Sequence, residues 1–138
     1  MEPLEPTPSP TRHGVPRLLI VDDEIEHAEI CAALLRRRGY KVAVALSGSD
    51  AIELASALKP DLILLDVCMP AVDGVETAAT LHGNPDTHHV PILFLSACGE
   101  ALEARRAELQ AGAEYLAKPF HAAELVASVE RSLRRTTG

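Results

Sequence analysis

Leu18-Leu19-Ile20-Val21-Asp22-Asp23 sets four apolar residues directly against two carboxylates. The same arrangement returns as Leu62-Ile63-Leu64-Leu65 closed by Asp66, Pro91-Ile92-Leu93-Phe94-Leu95 closed by Ser96, and Tyr115-Leu116-Ala117 closed by Lys118. Runs this short that are apolar throughout, without period-two alternation, are the mark of parallel strands covered on both faces. A further Val-rich run, Lys41 to Leu46, supplies a fifth strand, second in chain order.

Helical spacing fills the intervals. Ile25, Ala28, Ala32 and Leu35 form one stripe, and Gly39 stops that helix. Ser47 or Ser49 caps a second helix over Asp50 to Leu58, which Pro60-Asp61 ends. A third is expected from Gly74 to His82, followed by a polar connection from Asn84 to Val90. Glu100 to Ala111 makes a fourth with a weak stripe of Leu102 and Leu109, and Leu125, Val126, Val129 and Leu133 mark the last. Five strands alternating with five helices predict an α/β protein with a doubly wound parallel sheet, since crossovers between parallel strands are right-handed.

The 138 residues make one domain. Residues 1–16 carry five prolines and read as a disordered leader, residues 17–135 as the domain and 136–138 as a tail. Hydrophobic residues at 47% with charged residues at 24% describe a folded soluble protein. A formal net charge of −7 argues against direct nucleic-acid binding, which needs a clustered positive field. No run approaches the roughly 18 apolar residues that span a membrane, and the N-terminus lacks the pattern of a signal peptide. Three cysteines, Cys31, Cys68 and Cys98, with no CxxC spacing, point to a reducing, cytoplasmic setting rather than a disulfide scaffold.

In doubly wound sheets the site lies beyond the carboxyl ends of the strands. The residues there are Asp22, Asp23, Asp66, Ser96 and Lys118. Any one of them reads as a cap or a solvated charge; five at one sheet edge read as a site. Clustered carboxylates call for a compensating cation. Oxygen ligands without His or Cys favour a hard ion such as Mg²⁺. An ion, an ammonium and a hydroxyl together are suited to holding a phosphoryl group, with one carboxylate as nucleophile.

From Arg17 to Arg135 the chain resembles the receiver domain of two-component response regulators. The resemblance is carried by Asp22-Asp23-Glu24, by Asp66-Val67-Cys68-Met69-Pro70-Ala71-Val72-Asp73-Gly74, by Ser96-Ala97, and by Ala113-Glu114-Tyr115-Leu116-Ala117-Lys118-Pro119-Phe120. It implies a flavodoxin-like strand order 2-1-3-4-5 and makes Asp66 the phosphoacceptor. Asp22, Asp23 and the backbone carbonyl of Cys68 would hold Mg²⁺ together with Asp66. Ser96 and Lys118 would bind the phosphate, and the Lys118-Pro119 bond would be cis. Asp73-Gly74 would turn the chain into the third helix. Ser96 and Tyr115 would form the switch that alters the face made by the fourth helix, fifth strand and fifth helix, a face that is also the candidate dimer surface. The phosphodonor would be a sensor histidine kinase or a histidine phosphotransfer protein, and the reader an unknown downstream protein.

Cys68 and Cys98 stand two residues after Asp66 and Ser96, at positions that by family geometry flank the phosphoryl group. A thiol is a poor hydrogen-bonding partner, so both are expected to slow hydrolysis by failing to orient water. His88-His89 reads as a polar loop rather than a metal pair, because adjacent residues in extended chain point apart. Arg36-Arg37-Arg38 reads as a solvated helix end. The competing classes are a phosphohydrolase of the haloacid dehalogenase type, which lacks its acid/base Asp here because that place holds Cys68, and a degenerate receiver used only for protein binding. No output domain follows Arg135, so the expectation is a stand-alone receiver or one cut from a longer protein.

Overall fold

Strand β1 (Arg17–Val21) has a parallel neighbour on each side: β2 (Lys41–Ala45) and β3 (Leu62–Asp66). β4 (Ile92–Ser96) follows β3, and β5 (Glu114–Ala117) closes the far edge, giving the order β2-β1-β3-β4-β5. The computed structural model describes residues 14–67, 74–96 and 114–137. Within them lie four helices, α1 (Ile25–Arg37), α2 (Gly48–Leu58), α3 (Gly74–His82) and α4 (Ala122–Thr137). The helix expected over Glu100–Ala111 falls outside the described residues, as do Cys68, Asp73 and Cys98.

Side chains alternate across each strand, and the two sets find different helices. Leu18, Ile20, Leu62, Leu64, Leu93 and Leu95 pack with Ala28, Ala32 and Leu35 of α1 and with Leu125, Val129 and Leu133 of α4. Leu19, Val21, Ile63, Leu65, Ile92 and Phe94 pack with Ala51 and Ala55 of α2 and with Ala78 and Leu81 of α3. β1, apart from exposed Arg17, β3 and β4 are buried along their length, whereas the edge strands β2 and β5 are half-buried over most of theirs. Both faces of the sheet are thus covered, which is why the central runs show no polar alternation.

Several boundaries differ from the sequence expectation, each for a local reason. The α1 stripe consists of Ala28, Cys31, Ala32 and Leu35, while Ile25, in the first turn, is exposed. Helix α2 begins at Gly48, and its cap is Ser47, whose Oγ accepts the Asp50 amide at 3.1 Å. The described residues begin before Arg17: Pro16 is buried and its carbonyl accepts the Lys41 amide. At the other terminus α4 runs to Thr137, past Arg135. The three arginines at the end of α1 are exposed, yet Arg36 donates to the Val42 carbonyl and Arg38 lies 3.9 Å from Glu130. His88 and His89 lie in a turn, not in extended chain, and their rings meet edge to face at 5.6 Å.

Two glycines are required by the backbone. Gly39 takes φ +101°, which lets the chain reverse from α1 into β2. Gly74 opens α3 directly against the end of β3; a Cβ there would lie 2.5 Å from the Val67 Cα and 2.6 Å from the Asp66 carbonyl oxygen. Both atoms are backbone and cannot step aside. Gly74→Ala is therefore expected to destabilise the domain by about 1–3 kcal/mol, the range for overpacking. Gly83→Ala, whose Cβ would make an ordinary 3.4 Å contact, should stay close to wild type in the same thermal melt. Equal melting temperatures for the two variants would refute the close-approach reading.

Candidate functional site

One step beyond the last β1–β3 register pair, Val21↔Leu65, stand Asp22 and Asp66. Adjacent strands are about 4.8 Å apart, so the topology alone brings these two carboxylates together. Asp23 joins them: one oxygen from each of Asp22, Asp23 and Asp66 lies within 4.8 Å of the others. This is the single such acidic, His or Cys cluster among the described residues. Asp22 is 0% exposed and Asp66 5%, while Asp23 faces solvent and leaves the site open on one side.

Lys118 reaches this cluster from the end of β5, two strands beyond β3. Its Nζ donates to Asp66 Oδ2 at 3.0 Å and lies 3.6 Å from Asp22 Oδ2. The backbone holds it there: the Lys118 amide donates to the Ser96 carbonyl at 2.8 Å, and the following Lys118-Pro119 bond is cis. Burial works against the Lys118 ammonium, but the hydrogen bond to Asp66 and the charges of Asp66 and Asp22 outweigh it and raise its pKa above the usual value of 10.5. Ser96, 2% exposed, ends β4 between them, paired in register with Ala117. Tyr115 is half-buried and stacks on Phe94 with ring centroids 5.6 Å apart.

Asp22 has a partner that the sequence reading missed. His27 Nδ1 lies 2.7 Å from Asp22 Oδ2, and the Glu24 amide donates to Asp22 Oδ1 at 2.9 Å. His27 is five residues on from Asp22, in the first turn of α1, and no motif spacing marks the pair. Cys31, one turn further, is buried, and burial followed by the nearby Asp22 charge pushes its thiol pKa up. It is an inert core residue rather than a reactive one.

The donor set suits a hard divalent ion. All three side chains offer oxygen, and three formal negative charges against one ammonium leave two to be neutralised. A buried carboxylate pair that close is unfavourable without a cation beside it.

Residues 18–130 match the response regulator receiver domain family, and the chain belongs to that family. It is 43% identical over 124 residues to the transcriptional regulatory protein PrrA of Mycobacterium tuberculosis, covering 87% of this chain and 51% of the relative. It is 41% identical over 122 residues to the response regulator MprA of Mycolicibacterium vanbaalenii, covering 88% and 52%. The chain thus spans about half the length of these curated relatives. Among solved structures, the receiver domain of a sensor histidine kinase from Pseudomonas aeruginosa superimposes with a TM-score of 0.76 at 33% identity, covering 88% of this chain and 99% of that one. That structure holds a magnesium ion in its active site cleft. A Francisella response regulator receiver domain gives a TM-score of 0.75 at 30% identity, covering 88% and 98%. Among the described residues no helix is long and apolar enough to cross a membrane.

The raised Lys118 pKa has a consequence for stability. A group that binds its proton more tightly in the folded state stabilises that state below its unfolded pKa, and the contribution disappears as pH climbs through the folded value. In EDTA, wild type should therefore melt above Lys118→Met by a constant margin from pH 7 to 9. The margin should shrink once pH passes 10.5 and continues toward the higher folded value. A margin that is absent at pH 7, or unchanged at the alkaline end, contradicts the ion-pair account.

Proposed function

We propose that this domain is a phosphoacceptor module of a two-component system, taking a phosphoryl group on Asp66 in an Mg²⁺-dependent reaction. The observation that carries this reading is the Lys118 ammonium 3.0 Å from Asp66 inside a three-carboxylate cluster at the carboxyl edge of the sheet. Asp22, Asp23, Asp66 and the Cys68 backbone carbonyl would hold the ion, which supplies positive charge against the phosphoryl oxygens. Asp66 attacks phosphorus from a phosphohistidine, and the histidine nitrogen leaves. Lys118 pairs with one phosphoryl oxygen and Ser96 donates to another.

The donor is a sensor histidine kinase or a phosphotransfer protein. The net charge of −7 supports a protein as downstream partner rather than nucleic acid, and membership of the receiver family supports a cytoplasmic location. Phosphorylation adds a charge of about −1.5 to −2 beside Ser96. Ser96 and Tyr115 lie on adjacent strands, so a shift of the hydroxyl toward phosphate changes the space next to the Tyr115 ring. The surface that reads out the change includes β5 and α4, and it serves equally for a dimer.

Incubation with acetyl phosphate and Mg²⁺ should add one phosphoryl group to the wild-type chain, seen by intact-mass spectrometry. The adduct should be absent from Asp66→Asn and in EDTA. Multiple turnovers on a phosphomonoester would point instead to a hydrolase, and an adduct retained in Asp66→Asn would overturn the assignment. Cys68 and Cys98 tune the lifetime: Cys68→Asn, with an amide able to orient water, should lose the phosphoryl group faster than wild type. Equal decay rates would remove the Cys68 thiol from the account.

A further inference from the structure

Asp22 is the most deeply buried acid of the cluster, and each oxygen of its carboxylate has a partner. Oδ1 accepts the Glu24 amide at 2.9 Å, and Oδ2 faces both His27 Nδ1 at 2.7 Å and Lys118 Nζ at 3.6 Å. A carboxylate only accepts, so the hydrogen in the shortest of these contacts belongs to His27 Nδ1. His27 is itself wedged: its ring lies 6.0 Å from that of Phe120, on the segment that follows Lys118 and the cis Pro119. One side chain of α1 therefore touches both the carboxylate from the end of β1 and the segment that carries the ammonium. It is 31% exposed, at the border of the site rather than in the core.

We propose that His27 is a positioning residue for divalent-ion binding: its Nδ1–H fixes the Asp22 carboxylate so that the lone pairs left by Glu24 and His27 point toward Asp23 and Asp66. A carboxylate has about four lone-pair directions, and the two close hydrogen bonds occupy one on each oxygen. The remaining two are oriented before any ion arrives, which spares the site the ordering of a free rotor. Partners behind metal ligands act in this way, and their loss typically lowers metal affinity about 10–100-fold. The inference rests on the metal reading of the carboxylate cluster given above. It adds a residue that touches neither the ion nor phosphorus.

The test is calorimetric titration of Mg²⁺ into the full chain, purified metal-free, for wild type, His27→Leu, His27→Ala and His27→Asn. Melting temperatures in EDTA accompany each titration. Leu and Ala should each weaken binding by about 10-fold or more, in keeping with the loss of such a partner. Asn places a side-chain N–H near the position of Nδ1 and should recover most of the affinity. Having both Leu and Ala keeps the measurement available if one of them folds poorly. Affinities equal to or tighter than wild type in Leu and Ala would overturn the assignment while leaving the metal site standing. An Asn variant as weak as Leu would also overturn it, because the role would then be packing against Phe120. A wild-type chain that binds no Mg²⁺ would remove the metal reading and this inference together.

Discussion

The Lys118 ammonium, set against Asp66 and Asp22, is the contact on which the site depends. It joins two segments of the chain that are 52 residues apart, and it does so at a place where the protein has buried two carboxylates side by side. Without a cation, that pair is an electrostatic liability in a low-dielectric surrounding. With one ammonium, two formal negative charges remain, an arrangement that suits a divalent ion.

The sheet explains how that contact is reached. Placing β1 beside β3 brings Asp22 and Asp66 level with each other, and placing β5 at the edge lets Lys118 reach back over β4. The alternation of side chains puts Asp22, Asp66 and Lys118 in the same parity as Ile20, Leu64 and Leu116, which pack on the face covered by α1 and α4. Tyr115 and Phe94 have the opposite parity and pack with the α2 and α3 face. The charged site and the aromatic pair therefore lie on opposite faces of the sheet, and Ser96, two residues after Phe94 on β4, shares the parity of the aromatic pair.

Local structure around the site is built with little tolerance. Gly74 touches the backbone at the end of β3, so α3 starts as close to Asp66 as sterics permit. Asp22 caps its own turn by accepting from Glu24, which sends the chain into α1 and presents His27 back toward the carboxylate. Each of these features serves folding and chemistry at once. A substitution at either place would be read first as lost stability, and only a binding measurement would separate the two effects.

The central strands were legible in the sequence because three of them are buried on both faces and so carry uninterrupted apolar runs. Their terminal Asp and Ser residues were legible for the same reason: a polar residue after such a run must sit at the sheet edge, and Lys118 closes the shorter run of the edge strand β5. Gly39 and the α4 stripe of Leu125, Val126, Val129 and Leu133 were readable from backbone and periodicity rules, and all four side chains are buried. Other features were hidden. Ile25 looked like a core residue but lies in the first turn of α1, where the helix has not yet reached the sheet. Cys31 was counted as a cysteine rather than as a small apolar member of the stripe. His27 carried no signal at all, because its importance comes from a 2.7 Å approach to Asp22 that depends on how α1 leans on β1. Periodicity and strand-end chemistry are properties of the chain read in one dimension, and they determined the class of fold and the list of charged residues. Which oxygen faces which nitrogen is decided by strand order and helix docking, and those exist only once the distant segments have packed.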